Sequence, residues 1–448
     1  METKRIKACL DEPLSGTSVV VRGWLVNNRG NTKIRFLDLN DGSTIRNLQL
    51  VVGAPFDLAA IARWKPGSAL EATGTLVVAP NQTTPELRVR QVLNCAPTTE
   101  AFPIQRQKIN LETLRELPHV RHRTTTLRAV MLIRSTLARE LHNFFAQEGF
   151  LYMHSPIITS NDGEGAGEAF SVALDDPKDQ FFGTKRATLA VTGQLQAESY
   201  ALGFHKVYTF GPTFRAEKSN TKRHAAEFWM VEPEVAFYQL EDIIHLADRM
   251  LRHVIRAVRR AHEPELAFLA ARTPQPLLAN LDRFLNNALQ VIDYAQAVAI
   301  LQAAPVDFAT GPVTFGMDLA TEHERYLTDV HFRAPVALVN YPKEIKAFYM
   351  HLNPDQRTVA AFDLLVPGIG ELIGGSQREI DIAKLRTRMA FYQIDPAEMQ
   401  WYLDLRTFGN PGSAGFGLGF ERLVMYITGI ENIRDAIPYP RTFGSLKM

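Results

Sequence analysis

The chain shows two patterns of apolar and polar positions, and the change between them falls near residue 100. Before that point, short stretches alternate apolar and polar residues and are separated by turn signals such as NNRGN and NDGS. Two more alternating stretches, SALEATGTLVVA and ELRVRQVLNCA, follow. Period-two alternation is typical of half-buried strands, and Asp-Gly breaks are typical of hairpins. About five short strands in a region of this size favour a small barrel such as an OB-fold, which we expect over residues 1–100.

Beyond the predicted barrel, helical spacing becomes frequent. A segment rich in Pro, Thr and Gln interrupts the periodicity, and we assign residues 101–120 to a linker. Residues 124–149 repeat apolar side chains at helical spacing and end at a glycine suited to a helix C-cap. Strand-like and helical stretches then mix, with a helical insertion expected at about 240–305. Strands with segregated helices favour an α+β domain over residues 121–448, rather than a doubly wound sheet.

Composition narrows the class of protein. Hydrophobic residues make up 46% and charged residues 22%, which fits an ordinary globular protein. No apolar run approaches the roughly 18 residues of a membrane span, and no signal segment opens the chain, so we expect a cytoplasmic protein without a membrane partner. The two cysteines lack the spacing of a disulfide framework or zinc site. A net charge of +1 argues against a protein that coats nucleic acid but allows a local basic face.

The densest positive charge lies in the segment KSNTKRH, between the strand-like stretches VYTFGPTFRAE and HAAEFWMVEPEVAF. If these stretches pair as antiparallel strands, the segment is a hairpin tip and Arg215 lies at its base. Guanidinium forks and ammonium groups gathered there suit a ligand with a phosphate chain. A solvated surface hairpin is the alternative, and the charge cluster alone does not exclude it.

Two further clusters carry groups suited to a phosphate ligand. In GFGLGFERL, alternating glycines allow a ligand or another backbone to approach closely, and Arg422 follows in the first turn of a helix. In FDLLVPGIGELIGGSQRE, Asp363 and Glu371 suit a hard cation whose shell is completed by phosphate and water, although a buried ion pair explains them equally well. Neither a Rossmann fingerprint nor a P-loop is present in the sequence.

Taken together and in this order, the clusters resemble the class II aminoacyl-tRNA synthetases of the aspartyl/asparaginyl branch. The resemblance runs almost end to end: the first strands look like that branch's anticodon-binding OB-fold, and the segment around Pro156 looks like motif 1. FRAE with RHAAEF resembles motif 2 and GFGLGFERL resembles motif 3. Motif 1 alone is weakly specific, whereas motifs 2 and 3 with GELIGGSQRE between them are highly specific.

Two positions resemble the asparaginyl rather than the aspartyl type. In TGQLQAE, Ala197 stands where the aspartyl enzymes have a lysine that meets the substrate carboxylate, and in WMVEPE, Glu232 stands where they have an aspartate. Removing a cation and placing a carboxylate beside the side-chain amide favours asparagine and repels aspartate. Polar mismatch of this kind discriminates far better than the shape of an apolar pocket does.

The resemblance implies an ATP-dependent enzyme that activates L-asparagine and transfers it to tRNA(Asn), acting as a homodimer formed through motif 1. It implies ATP as substrate, Mg²⁺ as cofactor, and a catalytic set of Arg215, Arg422 and Glu371. The residues implied to bind ATP are Arg215, Glu217, Arg223, His224, Phe228, Glu371 and Arg422, and those implied to hold Mg²⁺ are Asp363 and Glu371. The residues implied to bind the amino acid are Glu164, Gln194, Glu232 and Arg378. For the anticodon they are Phe36, as a stacking platform, and Gln49, with Arg29, Lys33 and Arg35 on backbone phosphates.

One position departs from the family pattern. Ser413 stands where the family has a histidine ahead of motif 3; a hydroxyl donates one hydrogen bond but carries no positive charge. This leaves an aspartyl-tRNA synthetase, including a non-discriminating one, as an alternative. An asparagine-forming paralogue and an inactive tRNA-binding paralogue are further alternatives. Ala197 argues against the former, and the presence of both Arg215 and Arg422 argues against the latter.

Overall fold

The computed structural model describes residues 2–12, 15–78, 84–104, 109–160, 169–173, 181–183 and 187–448. The chain divides into two compact units, Met1–Arg134 with Pro264–Leu269 and Ser135–Glu263 with Ala270–Met448. Among the described helices, none is both long and apolar enough to pass through a bilayer.

The first unit is built around a closed barrel. Its elements are β1 (Glu2–Thr3), α1 (Ile6–Asp11), β2 (Ser18–Gly30), β3 (Arg35–Asn40), β4 (Leu48–Val52), α2 (Leu58–Ile61), β5 (Ala69–Val77), β6 (Glu86–Ala96) and α3 (Leu111–Arg115). Strands β2, β3, β4, β6 and β5 pair in that order, and β5 pairs again with β2, which closes the ring. Leu48, Leu50 and Val52 alternate into its core. The predicted OB-fold is therefore confirmed.

The second unit contains one large sheet and most of the helices. Its elements start with α4 (Thr125–Gln147), whose first residues belong to the first unit, β7 (Leu151–Tyr152), β8 (Ile158–Thr159), β9 (Thr188–Leu189), α5 (Gln194–Phe204), β10 (Lys206–Phe214), β11 (Glu227–Ala236) and α6 (Leu240–Ala261). The next helix, α7 (Glu263–Ala270), lies mainly in the first unit. They continue with α8 (Leu277–Asn286), β12 (Gln290–Asp293), α9 (Tyr294–Gln302), α10 (Thr321–Arg325), β13 (Val336–Pro342), β14 (Thr358–Val366) and β15 (Gly370–Gln377). The last are α11 (Ile382–Phe391), α12 (Gln400–Asp404), β16 (Ser413–Gly419), α13 (Phe420–Thr428) and α14 (Ile433–Ala436).

The large sheet is mainly antiparallel, in the order β12-β13-β14-β15-β16-β11-β10-β7. Only its two outermost pairings are parallel. The amphipathic helix α6 packs against β14, β15 and β16, while α5 packs against β10 and β11. The α+β prediction is confirmed, and the central strands β14, β15, β16, β11 and β10 carry the chemistry-bearing residues.

Two helix boundaries follow from local signals in the sequence. α4 ends at Gln147, and Gly149 adopts φ +79°, a left-handed conformation that glycine tolerates best. α11 begins after Asp381, whose carboxylate accepts hydrogen bonds from Ala383 N–H and Lys384 N–H. Just before the helix, Arg378 forms an isolated antiparallel bridge with Met350.

The region at 240–305 contains one strand that the sequence reading missed. β12 lies between α8 and α9 and pairs in parallel with β13 at the edge of the sheet. Its four residues are too few to reveal a period of two, and helical sequence flanks them on both sides.

Candidate active site

Strands β10 and β11 form the predicted antiparallel hairpin, which places a cation beside an aromatic ring. The register pairs Thr213 with Phe228. One step further, the Arg215 N–H donates to the Ala226 carbonyl at 3.0 Å. The Arg215 guanidinium carbon lies 5.5 Å from the centre of the Phe228 ring.

The exposed part of the hairpin tip brings Glu217 and His224 together. His224 Nε2 lies 3.7 Å from Glu217 Oε2, and both side chains are partly exposed. The other ring nitrogen of His224 lies 2.5 Å from Thr221 Oγ1. Glu217 and His224, which are predicted to contact the adenine amino group and the terminal phosphates of ATP, therefore lie next to each other.

Arg223 points away from that pair and into the unit. Its Nη1 donates to Thr321 Oγ1 at 3.0 Å and its Nη2 donates to the Ile369 carbonyl at 3.4 Å. Burial lowers the pKa of Arg223, and the positive charge of Arg422 adds to the effect. Arg223 of the hairpin and Arg422 of motif 3 are therefore close enough for their positive charges to interact.

Glycines leave one face of β16 bare. Gly415, Gly417 and Gly419 alternate along the strand and therefore point to the same side. A Cβ on Gly415 would lie 2.0 Å from Glu234 Oε1, and one on Gly417 would lie 2.8 Å from the terminal methyl group of Met230. Side chains of β11 occupy the space that residues larger than glycine would need.

Cross-strand pairing shows that the acidic residues and the β11 residues share this face. Asp363 pairs with Gly374, which pairs with Gly417, and Gly415 pairs with Glu234. Directly paired residues of neighbouring strands project to the same side of a sheet. The bare face of β16 thus separates two groups of charged side chains.

The first group converges over Gly374. A Cβ there would lie 3.3 Å from Glu371 Oε1 and 3.4 Å from Asp363 Oδ1. Lys346 Nζ lies 2.6 Å from Asp363 Oδ2, and Arg422 Nη1 lies 3.2 Å from Glu371 Oε2. Burial and the neighbouring Asp363 raise the pKa of Glu371, against the opposing effect of Arg422.

These two carboxylates can supply part of the coordination shell of Mg²⁺. Within the described residues, no three or more His, Cys, Asp or Glu side chains are arranged to hold a metal ion. Mg²⁺ keeps several waters and commonly takes one or two carboxylates together with substrate phosphates. Asp363 and Glu371, converging where Gly374 leaves room, therefore suit a cation whose shell a phosphate ligand completes.

Glu324 is a third carboxylate at this end of the site, and the sequence analysis missed it. Its Oε2 accepts a hydrogen bond from the Glu371 N–H at 3.1 Å, and a Cβ on Gly370 would collide with the same oxygen. Burial and the charge of Glu371 raise the pKa of Glu324 to about 8. The local sequence TEHER does not predict that Glu324 contacts Glu371, which lies 47 positions later in the chain.

A cavity of about 240 Å³ adjoins this end of the site. Arg223, Arg422 and Glu371 line it, together with residues that include Gln275 and Tyr426. The phosphate-binding candidates therefore border open space.

The second group is centred on Glu232, which is 4% exposed. Its Oε2 accepts from the Gly193 N–H at 2.9 Å and from the Thr209 hydroxyl at 3.1 Å, and its Oε1 accepts from the Thr192 hydroxyl. Burial raises the pKa of Glu232, while these donors and the charge of Arg215 oppose the rise. Gly193 is the N-cap of α5, so the positive end of the helix dipole faces the carboxylate.

Gln194 begins α5 beside Glu232. Its side chain is buried, and within the described part of the chain its Nε2 has no hydrogen-bond partner. A buried donor without a partner is costly, so this position suits a polar ligand. Glu164, which the family resemblance places near it, lies outside the described residues.

Arg378 is held by a carboxylate that the sequence analysis did not select. Its Nε donates to Glu234 Oε2 at 3.1 Å, its Nη2 donates to Glu234 Oε1, and its Nη1 donates to Ser376 Oγ at 2.7 Å. Burial raises the pKa of Glu234 to about 7, against the attraction of Arg378. Glu234 lies two residues after Glu232 on the same strand face, and that spacing was the signal that could have identified it.

Ala197 and Ser413 stand where the resemblance would place a lysine and a histidine, and neither side chain carries a charge. Ala197 is buried in an apolar cluster with Met153, Ala201 and Val207. Ser413 begins β16 fully buried, and its hydroxyl finds no hydrogen-bond partner among the described residues.

A buried ion pair anchors α5 one turn after Gln194. Arg406 Nη2 lies 2.8 Å from Glu198 Oε1, and both side chains are fully buried. The Tyr402 hydroxyl donates to Glu198 Oε2 at 2.5 Å. The helix that carries Gln194 is therefore tied to the segment around α12.

Three of the five predicted anticodon residues come together on the barrel. Arg29 pairs with Phe36 across β2 and β3, and its guanidinium carbon lies 5.7 Å from the ring centre. Arg29 Nη2 donates to Gln49 Oε1 at 2.5 Å. Arg35 follows the opposite alternation to Phe36 and donates to Asn28 Oδ1 at 2.6 Å.

Lys33 is exposed in the turn between β2 and β3, where its N–H donates to Asn31 Oδ1. Phe36, Arg29 and Gln49 thus form a compact face, whereas Lys33 lies in the β2–β3 turn and Arg35 projects to the opposite side of β3.

Comparison with known proteins identifies the family of this chain. The family model described as tRNA synthetases class II (D, K and N) matches residues 110–443, and the OB-fold nucleic acid binding domain model matches residues 19–93. The asparagine–tRNA ligase of Mycoplasma mobile is 55% identical over 430 residues, which is 96% of each chain. That of Mycoplasmopsis pulmonis is 52% identical over 97% of each chain.

Among solved structures, asparaginyl-tRNA synthetase from Pyrococcus horikoshii complexed with asparaginyl-adenylate superimposes with a TM-score of 0.88 at 31% identity, covering 100% of this chain and 99% of that one. The family model covers well over half of the chain, and the curated relatives match it nearly end to end. The chain therefore belongs to the class II tRNA synthetases of the D, K and N family and, within it, to the asparagine–tRNA ligases.

Proposed function

We propose that this protein activates L-asparagine with ATP and transfers the asparaginyl group to tRNA(Asn). One observation carries the proposal: a single face of the large sheet brings together Arg215, Glu232 and Glu371, and Arg422 pairs with Glu371 beside that face. The curated relatives at 55% and 52% identity are named asparagine–tRNA ligases, which supports asparagine as the substrate.

The first step needs positioning and charge neutralisation rather than a general base. The α-carboxylate of asparagine is already ionised, and its oxygen attacks the α-phosphorus of ATP in line as pyrophosphate leaves. We assign Arg215 to the α-phosphate and the attacking carboxylate, because a fixed guanidinium stabilises the charge that develops there. Phe228, beside Arg215, and the guanidinium of Arg422 sandwich the adenine ring in this assignment.

The remaining ATP contacts divide between the hairpin tip and the acidic end. We assign Glu217 to the adenine amino group, and Arg223 and His224 to the terminal phosphates. Asp363 and Glu371 would hold Mg²⁺, which supplies charge neutralisation on the phosphates. The open space bordered by Arg223 and Arg422 supports this orientation of the phosphate chain.

The amino acid occupies the other end of the face. We assign Gln194 and Glu164 to the α-amino group and nearby polar atoms, and the unpartnered Gln194 Nε2 supports that role. Glu232 and Arg378 are assigned to the side-chain amide. In the second step the 3′ hydroxyl of tRNA attacks the carbonyl carbon of the adenylate, and AMP leaves.

The barrel is proposed to read the anticodon. Phe36 would stack on a base and Gln49 would hydrogen-bond beside it, while Arg29, Lys33 and Arg35 contact backbone phosphates. The grouping of Phe36, Arg29 and Gln49 on one face supports the first two roles more directly than it supports Arg35.

We infer that the chain is a cytoplasmic homodimer. Exposed apolar side chains on the edge strand β7 support a second copy at this edge, because Leu151 and Tyr152 are 41% and 48% exposed. Light scattering after size-exclusion chromatography should give twice the mass of one chain; a monomer at micromolar concentration would contradict the dimer.

The test of the proposed function is amino-acid-dependent exchange of labelled pyrophosphate into ATP. We expect exchange with L-asparagine in the presence of Mg²⁺ and charging of tRNA(Asn) by the same preparation. Exchange with aspartate and none with asparagine would overturn the proposal in favour of an aspartyl enzyme.

A further inference from the structure

The environment of Glu232 differs from that of two other buried carboxylates, Glu234 on the same strand and Glu198 on α5. An ionised carboxylate offers about four lone-pair positions. Within the described residues, Thr192, Thr209 and Gly193 N–H occupy three of them, and none of the three donors is charged. Glu234 and Glu198, by contrast, are each paired with an arginine.

The local structure fixes the direction of these hydrogen bonds. The Gln194 N–H donates to Thr192 Oγ1 at 3.0 Å, so the single hydroxyl proton of Thr192 is directed to Glu232. Thr209 lies directly opposite Glu232 in the β10–β11 register. A Cβ on residue 193 would lie 3.2 Å from Glu232 Oε2 and 2.5 Å from Ser155 Oγ, so glycine is needed for the third donor.

We propose that Thr192 and Thr209 are specificity-determining positioning residues that present Glu232 as an ionised acceptor with one open lone pair. The inference rests on the proposed function, since the open lone pair is meant for the side-chain amide of asparagine.

Neutral donors are suited to this task. An arginine paired with Glu232 would cancel the charge that repels aspartate, whereas hydroxyl and backbone donors stabilise the carboxylate and leave its charge in place. An amide NH₂ can donate to the open lone pair, and a substrate carboxylate cannot. If the donors were lost, a protonated Glu232 could donate to the carboxylate of aspartate, and discrimination would fall.

The experiment compares Thr192→Val and Thr209→Val with wild type in pyrophosphate exchange, measuring kcat and KM for asparagine and for aspartate. We expect the asparagine KM to rise and the asparagine-to-aspartate ratio of kcat/KM to fall about 10-fold or more, as the loss of a hydrogen bond to a charged group predicts. Thr209→Ser should restore the ratio because it keeps the donor.

Thr213→Val is the matched control. Thr213 is as buried as Thr209 and lies on the same strand face, but its hydroxyl donates to the Phe228 carbonyl. The ratio should stay at the wild-type value in this variant. Thermal melting of each variant identifies those that remain folded.

An unchanged ratio in folded Thr209→Val, an equal fall in Thr213→Val, or failure of Thr209→Ser to restore the ratio would each overturn the inference. If Thr209→Val does not fold, Thr192→Val and Thr209→Ser decide the outcome by the same ratio. Wild-type exchange with asparagine is scored separately, so the proposed function can stand while the role of the threonines fails.

Discussion

At the scale of single residues, Arg215 combines a backbone role with a chemical one. Its N–H closes the base of the hairpin, while its guanidinium lies beside Phe228. Arg215→Ala keeps the first and removes the second, so we expect adenylate formation to fall at least ~100-fold, the usual cost of losing a preorganised donor to a developing charge. Pyrophosphate exchange measures that loss.

tRNA binding is the control for this variant. We expect filter-binding affinity for tRNA(Asn) to stay within a few-fold of wild type, because the proposed anticodon face belongs to the other unit. A parallel loss of exchange and tRNA binding would contradict the assigned role.

Gly415 tests whether the bare face of β16 is required for folding. In Gly415→Ala the new methyl group would meet the Glu234 carboxylate at 2.0 Å, within a buried ion pair. We expect a loss of about 1–3 kcal/mol, typical of overpacking, together with loss of activity. Gly211→Ala, where nothing lies within 4 Å, should melt like wild type. Equal melting temperatures for both variants would show that the strand adjusts.

Sequence reasoning found the residues whose chemistry is local and missed those defined by a distant partner. Arg215, Glu232 and Arg422 stand in recognisable motifs. Thr192 and Thr209 do not, because their importance comes from a carboxylate 40 and 23 positions later. Only a folded sheet reveals that pairing.

At the scale of elements, the contact between α5 and the α12 segment depends on a buried charge pair. Arg406→Met would leave Glu198 buried without its cation, which typically costs about 3–5 kcal/mol. We expect a large drop in melting temperature. The double variant Glu198→Leu/Arg406→Met should melt above the single one, because it leaves no buried charge unpaired.

Arg249→Met is the matched control for that pair. Arg249 Nη2 lies 3.0 Å from Glu148 Oε2, but the two side chains are 47% and 28% exposed. Exposed pairs contribute about 0–1 kcal/mol, so this variant should melt close to wild type. If the two single variants melt alike, burial does not govern the strength of the Glu198–Arg406 pair.

Elements were predictable where periodicity ran long enough. The β10–β11 hairpin and α4 followed from strict alternation and helical spacing. β12 did not, because four residues between helices carry no measurable period and only the neighbouring β13 makes them a strand.

At the scale of the whole molecule, the two units should be separable in function. Phe36→Ala removes the proposed stacking platform from the barrel while the large sheet is untouched. Alanine substitution of a stacking aromatic costs about 1–3 kcal/mol per base, so we expect charging of tRNA(Asn) to weaken at least 5-fold while asparagine-dependent exchange persists. Leu93→Ala, which truncates an exposed apolar side chain on β6, is the control. Unchanged charging in Phe36→Ala would remove that residue from anticodon recognition.

The alternation along β16 also limits which insertions and deletions the coding sequence can accept. Since side chains on a strand alternate with a period of two, inserting or deleting one codon would invert the strand. Ala414, Phe416 and Leu418, now buried behind the sheet, would project across the site, and the glycines would leave holes in the core. A point substitution in β16 changes one side chain, whereas the insertion or deletion of one residue moves every following side chain of the strand to the opposite face. Changes in chain length should therefore be tolerated before Ser413 or after Gly419 but not between them.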